Sequence, residues 1–132
     1  MIKNFDKLPF ERKIDVFVAE HVFKYEGIKI EEYTDKDLKH LYWGVSRVDG
    51  HWDTNILCYS TLLTSAWDIV RKFKFVYLYK SEFINGRWEC ILKDEGFKDS
   101  AIMAETEMLA ICYAGLKVVG FNIEGFLKEE GK

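Results

Sequence analysis

The chain has a single proline, Pro9, so its later helices and strands must be ended by other means. Cysteine is scarce as well: Cys58, Cys90 and Cys112 form an odd set without CxxC spacing. That argues against a disulfide framework or a cysteine zinc site and reads as three reduced, largely buried thiols. No apolar run approaches the length of a membrane span, and none follows Lys3, Asp6 and Lys7 as a signal peptide requires. The chain is therefore expected to be soluble and intracellular. Positive charge is not in excess, with 19 Lys and Arg against 22 Asp and Glu and a net charge of −3. A nonspecific nucleic-acid binder needs a basic field to displace counterions, so nucleic acid is not the expected partner. Walker, GxGxxG and GxSxG signatures are all missing. No cofactor, no metal site and no enzymatic activity are expected.

Aromatic residues, by contrast, are plentiful at 16%: ten Phe, seven Tyr and four Trp. Apolar residues make up 48% and charged residues 31%, an ordinary globular balance, and 132 residues suit one domain spanning 1–132. So many aromatics exceed what one small core holds, and some are expected at the surface, where they build binding sites.

The strongest periodic signal runs from Tyr59 to Tyr79. Ser60 or Thr61 is expected to cap a helix whose inner stripe is Leu63, Ala66, Trp67 and Val70. A strand follows from Phe73 to Tyr79, apolar on both faces, which predicts a sheet at least partly covered on both sides. Before this stretch, Pro9 opens a helix to about Tyr25, with Ile14, Phe17, Val18 and Val22 on one side and Gly27 as the left-handed cap. His21, beside that stripe, reads as a partly buried or surface histidine. The segment 28–58 has little periodicity and is expected to be irregular. Within it, Thr34-Asp35-Lys36-Asp37 has capping-box spacing and suggests one or two helical turns from Asp35 to Tyr42, while Leu41 to Val48 looks extended and Asp49-Gly50 turns.

After the central stretch, Asn85-Gly86 signals a hairpin into a strand from Arg87 to Lys93 that places Trp88, Cys90 and Leu92 on one face. A third strand is expected from about Asp99 to Ala104. Thr106 then caps a closing helix with Leu109, Cys112, Leu116 and Val119 as its stripe and Gly120 as its end. Residues 121–132 form a tail, apolar at Phe121, Ile123, Phe126 and Leu127, that is expected to pack on the sheet or on a second copy of the chain. The resulting order is α-α-β-β-β-α. This predicts an α/β fold of the α+β type, an antiparallel sheet of three or slightly more strands packed with helices, its core running from about residue 9 to 120.

Three segments share one pattern: Ile14-Asp15-Val16-Phe17-Val18-Ala19-Glu20-His21-Val22; Tyr59-Ser60-Thr61 with Ala66-Trp67-Asp68-Ile69-Val70; and Thr106 followed by Ala110-Ile111-Cys112-Tyr113-Ala114-Gly115-Leu116. In order and spacing they resemble the phage ABA-sandwich domain family of phages and prophages of Gram-positive bacteria, with its IDxLVAExV, YSTDIxAAWxVV and TxxxAICxAAL segments. The resemblance runs from about Ile14 to Gly120. Leu62 stands where the family usually has Asp, Thr64-Ser65 replace small apolar residues, Met108 lies near the place of a common Pro, and segment 28–58 is unmatched. The resemblance implies an α/β sandwich of phage or prophage origin, working in the host cytoplasm. It implies no activity, so the matched residues carry over as structural.

Two sets of residues are candidates for binding. Tyr42, Trp43, Arg47, His51 and Trp52 combine aromatic faces, which stack on bases or apolar side chains, with a guanidinium fork for phosphate or carboxylate. Lys72, Lys74, Tyr77, Tyr79 and Lys80 form a smaller basic-aromatic group around the central strand, equally readable as edge lysines that discourage aggregation. His51 with Cys58 or Asp53 supplies too few groups for a nucleophile–base pair or a metal. The expected function is a non-enzymatic phage accessory protein that binds a host protein, with inhibition of anti-phage defence as one outcome. The alternative is a small-molecule binder that sequesters an anionic, nucleotide-like host signal.

Overall fold

A computed structural model describes residues 2–35, 40–82, 86–94 and 101–132. Its contacts gather into two compact units, Met1–Leu57 and Cys58–Lys132.

In the first unit Pro9 occupies the cap position of helix α1 (Phe10–Phe17), which continues into a wider π turn over Val18–Val22. The helical stripe is buried at Ile14, Val18 and Val22, and Phe17 is half-buried. The widened turn ends the helix early. Tyr25 N–H reaches back to Ala19 O at 2.9 Å, and the left-handed residue is Lys24, at φ +59°, in place of the expected Gly27 as the cap. Gly27 is also left-handed, one step later in the exit from the helix.

Segment 28–58, expected to be irregular apart from an extended Leu41–Val48, forms a three-stranded antiparallel meander of β1 (Lys29–Asp35), β2 (His40–Asp49) and β3 (Trp52–Asn55). Of the helical turns expected from Asp35 to Tyr42, residues 36–39 lie outside the described residues and the rest is strand: Asp35 pairs with His40 and Tyr33 with Tyr42. A capping box is a local preference, and ladder pairing over the whole length of β1 overrides it. The Asp49-Gly50 turn is present, with Gly50 at φ +64°. Ile30 pairs with Val45, and Ile56 N–H donates to Val45 O at 3.0 Å, so these three buried side chains line one sheet face. Alternation was obscured because Ile30 shares its face of β1 with the polar residues Glu32 and Thr34. Arg12 ties α1 to the chain leaving β3, donating to Ile56 O at 2.9 Å, to Leu57 O at 3.0 Å and to the buried carboxylate of Asp15 at 2.8 Å.

In the second unit, Thr61 and Leu62 N–H both donate to Cys58 O, and helix α2 (Leu63–Val70) starts only after this turn. Leu62 is therefore the cap position, with no side-chain cap, because Tyr59 and Ser60 are buried in the turn before it. The buried face is Ser65, Ala66, Ile69 and Val70, while Leu63 and Trp67 of the expected stripe are exposed. The second sheet is β4 (Phe75–Lys80), β5 (Trp88–Lys93) and β6 (Ile102–Ala104), antiparallel in that order. Lys74 N–H reaches the Lys93 carbonyl at 3.2 Å although Phe75 is the residue paired with Lys93, so a bulge opens β4. The loop holding Asn85 lies outside the described residues, but its hairpin closes with Ser81 N–H on Arg87 O at 2.8 Å.

Helix α3 (Glu107–Val118) is the hub: it packs on β5, β6, α2 and α4, and every residue from Leu109 to Leu116 is buried. A helix apolar on all sides needs cover on all sides. Thr106 caps it as expected, accepting Leu109 N–H at 3.2 Å, and Gly120 at φ +94° ends it. The tail forms a further helix, α4 (Ile123–Glu129), capped by Asn122 on Gly125 N–H at 3.1 Å and anchored by buried Ile123. Among the described residues, four α-helices and two antiparallel sheets give the expected α+β class.

Candidate functional site

The first candidate set lies along β2 and the β2–β3 turn. Trp43 is half-buried and pairs with Glu32, and the backbone of Tyr42 pairs with Tyr33. Trp52, paired with Asp49, is 78% exposed, and His51 is exposed in the turn. At about 3.3 Å of rise per residue, Trp43 lies roughly 20 Å along β2 from Asp49 and its partner Trp52. The two indoles do not converge on one ligand. Arg47, between them, places its guanidinium carbon 3.8 Å from the Tyr25 ring centroid and a nitrogen 3.7 Å from the Asp49 carboxylate. Its charge is thus already engaged by a π face and a carboxylate.

The second set divides across a sheet. Strand alternation sends Phe75, Tyr77 and Tyr79 to one face and Val76, Leu78 and Lys80 to the other. Lys72 and Lys74 are exposed in the connection between α2 and β4. On the α3 side Cys90, Leu92 and Ala104 are buried. The other side is open: Phe75 is 42% exposed, Tyr77 57% and Tyr79 47%. The expectation of cover on both sides fails here, because within this unit the helix packed on the sheet, α3, takes the Cys90–Leu92 face. Register extends the open face across the sheet, pairing Phe75 with Lys93, Tyr77 with Ile91, Tyr79 with Glu89, and Glu89 with Met103. Phe75, Ile91 and Met103 were missed by sequence reading. The signal available was three aromatics at period two, masked by the equally apolar alternate positions.

Electrostatically this face is mixed. The Tyr79 hydroxyl is hydrogen-bonded to Glu89, and that bond, with lesser contributions from desolvation and the carboxylate's charge, raises its pKa above the usual tyrosine value. Lys93 balances Glu89 at the other end. Cys90 and Cys112 are buried, and burial pushes the Cys90 thiol up to about 12, opposite to what a nucleophile needs. Among the described residues no three His, Cys, Asp or Glu side chains group as a metal site, and no helix is long and apolar enough to cross a membrane. A cleft of about 470 Å³ in the first unit is lined by Lys3 and Lys29 but also by Glu31 and Glu32, so it offers no net positive pocket.

The fold can now be set beside known proteins. A family profile described as "Phage ABA sandwich domain" matches residues 16–116. The chain belongs to that family. The matched span takes in the last two residues of α1 with its π turn, both sheets, α2 and α3 as far as Leu116. The three segments that carry the resemblance fall on α1 with its π turn, on the Tyr59–Ser60 turn with α2, and on α3. A solved structure, the 2.0 Å crystal structure of a phage protein from Bacillus cereus ATCC 14579, is similar to this ABA-sandwich chain with a TM-score of 0.59 and 22% identity, covering 83% of this chain and 91% of that one. At such identity the likeness concerns the fold. No curated protein matches the chain. Within this ABA-sandwich fold the family segments supply caps, turns and the buried hub. The open aromatic face of β4 lies between the second and third of them.

Proposed function

We propose that this phage ABA-sandwich protein is a non-enzymatic accessory protein that binds a host protein through the open face of β4–β6. The observation that carries this reading is the exposure of Phe75, Tyr77 and Tyr79 side by side on a sheet whose other face is packed. Aromatics held on a rigid strand present large contact area at little entropic cost, the usual make-up of an interface hot spot. Lys93 and Glu89 at its margins provide the polar rim such interfaces have. A sequestered nucleotide-like anion fits less well. Arg47 is engaged by Tyr25 and Asp49, Lys80 lies on the face opposite Tyr77, and Glu89 places a negative charge beside Tyr79. A host defence component, or a host enzyme the phage redirects, is the proposed class of partner.

The test is affinity capture from a Gram-positive host lysate, with mass spectrometry of the protein and small-molecule fractions. Native chain and a Tyr77→Ser/Tyr79→Ser variant are compared. The expected result is a host protein held by the native chain and reduced about tenfold or more by the variant, as loss of hot-spot residues implies. Capture of a small anion with no host protein overturns the reading, as does a host protein held equally by both.

A further inference from the structure

We propose that residues 2–8 form a strap that closes the outer edge of β1 against strand addition, with Asn4 as its latch. β1 lies at one end of the β1-β2-β3 order, and among the described residues no other strand pairs with its outer side. The ladder fixes which groups that edge presents. Val45 turns its carbonyl to the β3 side, where it accepts Ile56 N–H at 3.0 Å. Ile30 is the β1 partner of Val45, so its backbone groups point away from β2, and by alternation so do those of Glu32 and Thr34. Such a row of outward N–H and C=O groups is a template for another strand.

The structure shows what meets this edge. Asn4 Nδ2 donates to Ile30 O at 3.1 Å, across 26 positions of the chain. An added strand places a backbone nitrogen about 2.9 Å from the same carbonyl, so the side-chain amide stands where that ladder would start. Asn4 is left-handed, at φ +70°, a conformation asparagine takes more readily than most residues. The chain then turns back: Lys7 N–H donates to Asn4 O at 3.0 Å and Leu8 N–H to Phe5 O at 3.1 Å. Phe5 packs on Phe17 of α1, ring centroids 5.0 Å apart, and Leu8 is buried. The strap is thus anchored on α1 and latched on β1. Between strap and strand runs the cleft of about 470 Å³, lined by Ile2, Lys3 and Asn4 and by the consecutive residues 28–32. A sheet face offers alternate residues, so consecutive ones place this cleft along the edge. The strap and β1 belong to the first unit and the aromatic face of β4 to the second, so this inference stands or falls separately from host-protein binding.

The test releases the strap in the full chain. Asn4→Gly keeps the left-handed turn and removes the latch, and Phe5→Ala in the same chain removes the anchor. In a pure sample the partner open to a released edge is a second copy. Sedimentation velocity is expected to show the coefficient of the double variant rising with concentration more steeply than that of the native chain. Amide exchange locates the contact: Ile30, Glu32 and Thr34 gain protection in the associated form, while Glu31 and Tyr33, already bonded to β2, do not. Glu32→Pro added to the double variant removes an outward N–H without touching the β2 ladder and returns sedimentation to the native pattern. Where the double variant fails to fold, Asn4→Asp serves instead: it keeps the side-chain shape, sets an oxygen against the Ile30 carbonyl and is expected to associate in the same way. A released chain that sediments as the native one does, association that survives Glu32→Pro, or protection gained at Glu31 and Tyr33 instead overturns the proposal.

Discussion

The Tyr33 ring lies against the backbone of Gly44, so close that a Cβ at Gly44 would sit 2.5 Å from Cε2 of the ring. Gly44 pairs with Glu31, and Tyr33 reaches it diagonally across the β1–β2 ladder. An aromatic ring over a strand glycine covers backbone that would otherwise face water. Gly44→Ala is expected to cost about 1 kcal/mol, since the half-exposed ring can swing away but loses this contact. The same change in a Tyr33→Ala background is expected to cost much less, and urea titration of the four proteins in the cycle measures the difference.

Arg12 holds a carboxylate that is fully buried. Asp15 accepts from it at 2.8 Å, and the same guanidinium binds the carbonyls of Ile56 and Leu57. Arg12→Ala is expected to destabilise the first unit by about 3 kcal/mol, because it leaves a buried charge and two carbonyls short of donors. Arg12→Ala with Asp15→Asn recovers part of the loss. Denaturant unfolding in a Trp67→Phe/Trp88→Phe background, where Trp43 and Trp52 are the remaining indoles, reports on this unit by fluorescence.

Helix caps separate local sequence preference from the helix start that forms. Thr106→Ala removes the bond to Leu109 N–H and is expected to cost about 1 kcal/mol. Thr61→Ala is expected to change stability by only a few tenths of a kcal/mol, since Thr61 precedes the true start of α2 and is exposed. Thermal melts of both variants decide it.

Stability is expected to fall above pH 9. The core holds Cys90 as a neutral thiol, raised from 9.0 to about 12 by burial. Between those values the unfolded chain has lost a proton that the folded chain keeps. The contribution is therefore complete below pH 9 and is lost as pH rises toward 12, with a slope of at most about 1.4 kcal/mol per pH unit. Chemical denaturation at pH 8, 9 and 10 measures this slope, and Cys90→Ala removes the share due to this thiol.

Sequence reading found what repeats locally. The α1 stripe, the Cys90–Leu92 strand face, the Thr106 cap and the Gly120 stop each depend on residues a few positions apart. The first sheet was legible only as an extended Leu41–Val48, because the buried apolar side chains of its inner face among the described residues, Ile30, Val45 and Ile56, are too few and too widely spaced to form a run. The α2 stripe was set out of phase by large side chains: Leu63 and Trp67 outweigh Ser65 in any hydrophobic tally, yet Ser65 is the buried one. For the candidate site, Tyr77 and Tyr79 were named, but as partners of lysines. Only the register with β5 shows that the tyrosines share a face with Phe75, Ile91 and Met103, while Lys80 lies behind them.

The burial of α3 on every side also sets an order on biosynthesis. The ribosome makes β4, β5 and β6 before it makes the helix that covers their inner face. At roughly 5–20 residues per second the nascent sheet waits a few seconds with both faces bare. During that interval Phe75 to Tyr79 is an aggregation-prone segment, and the lysines beside it act as gatekeepers during translation as much as in the finished fold.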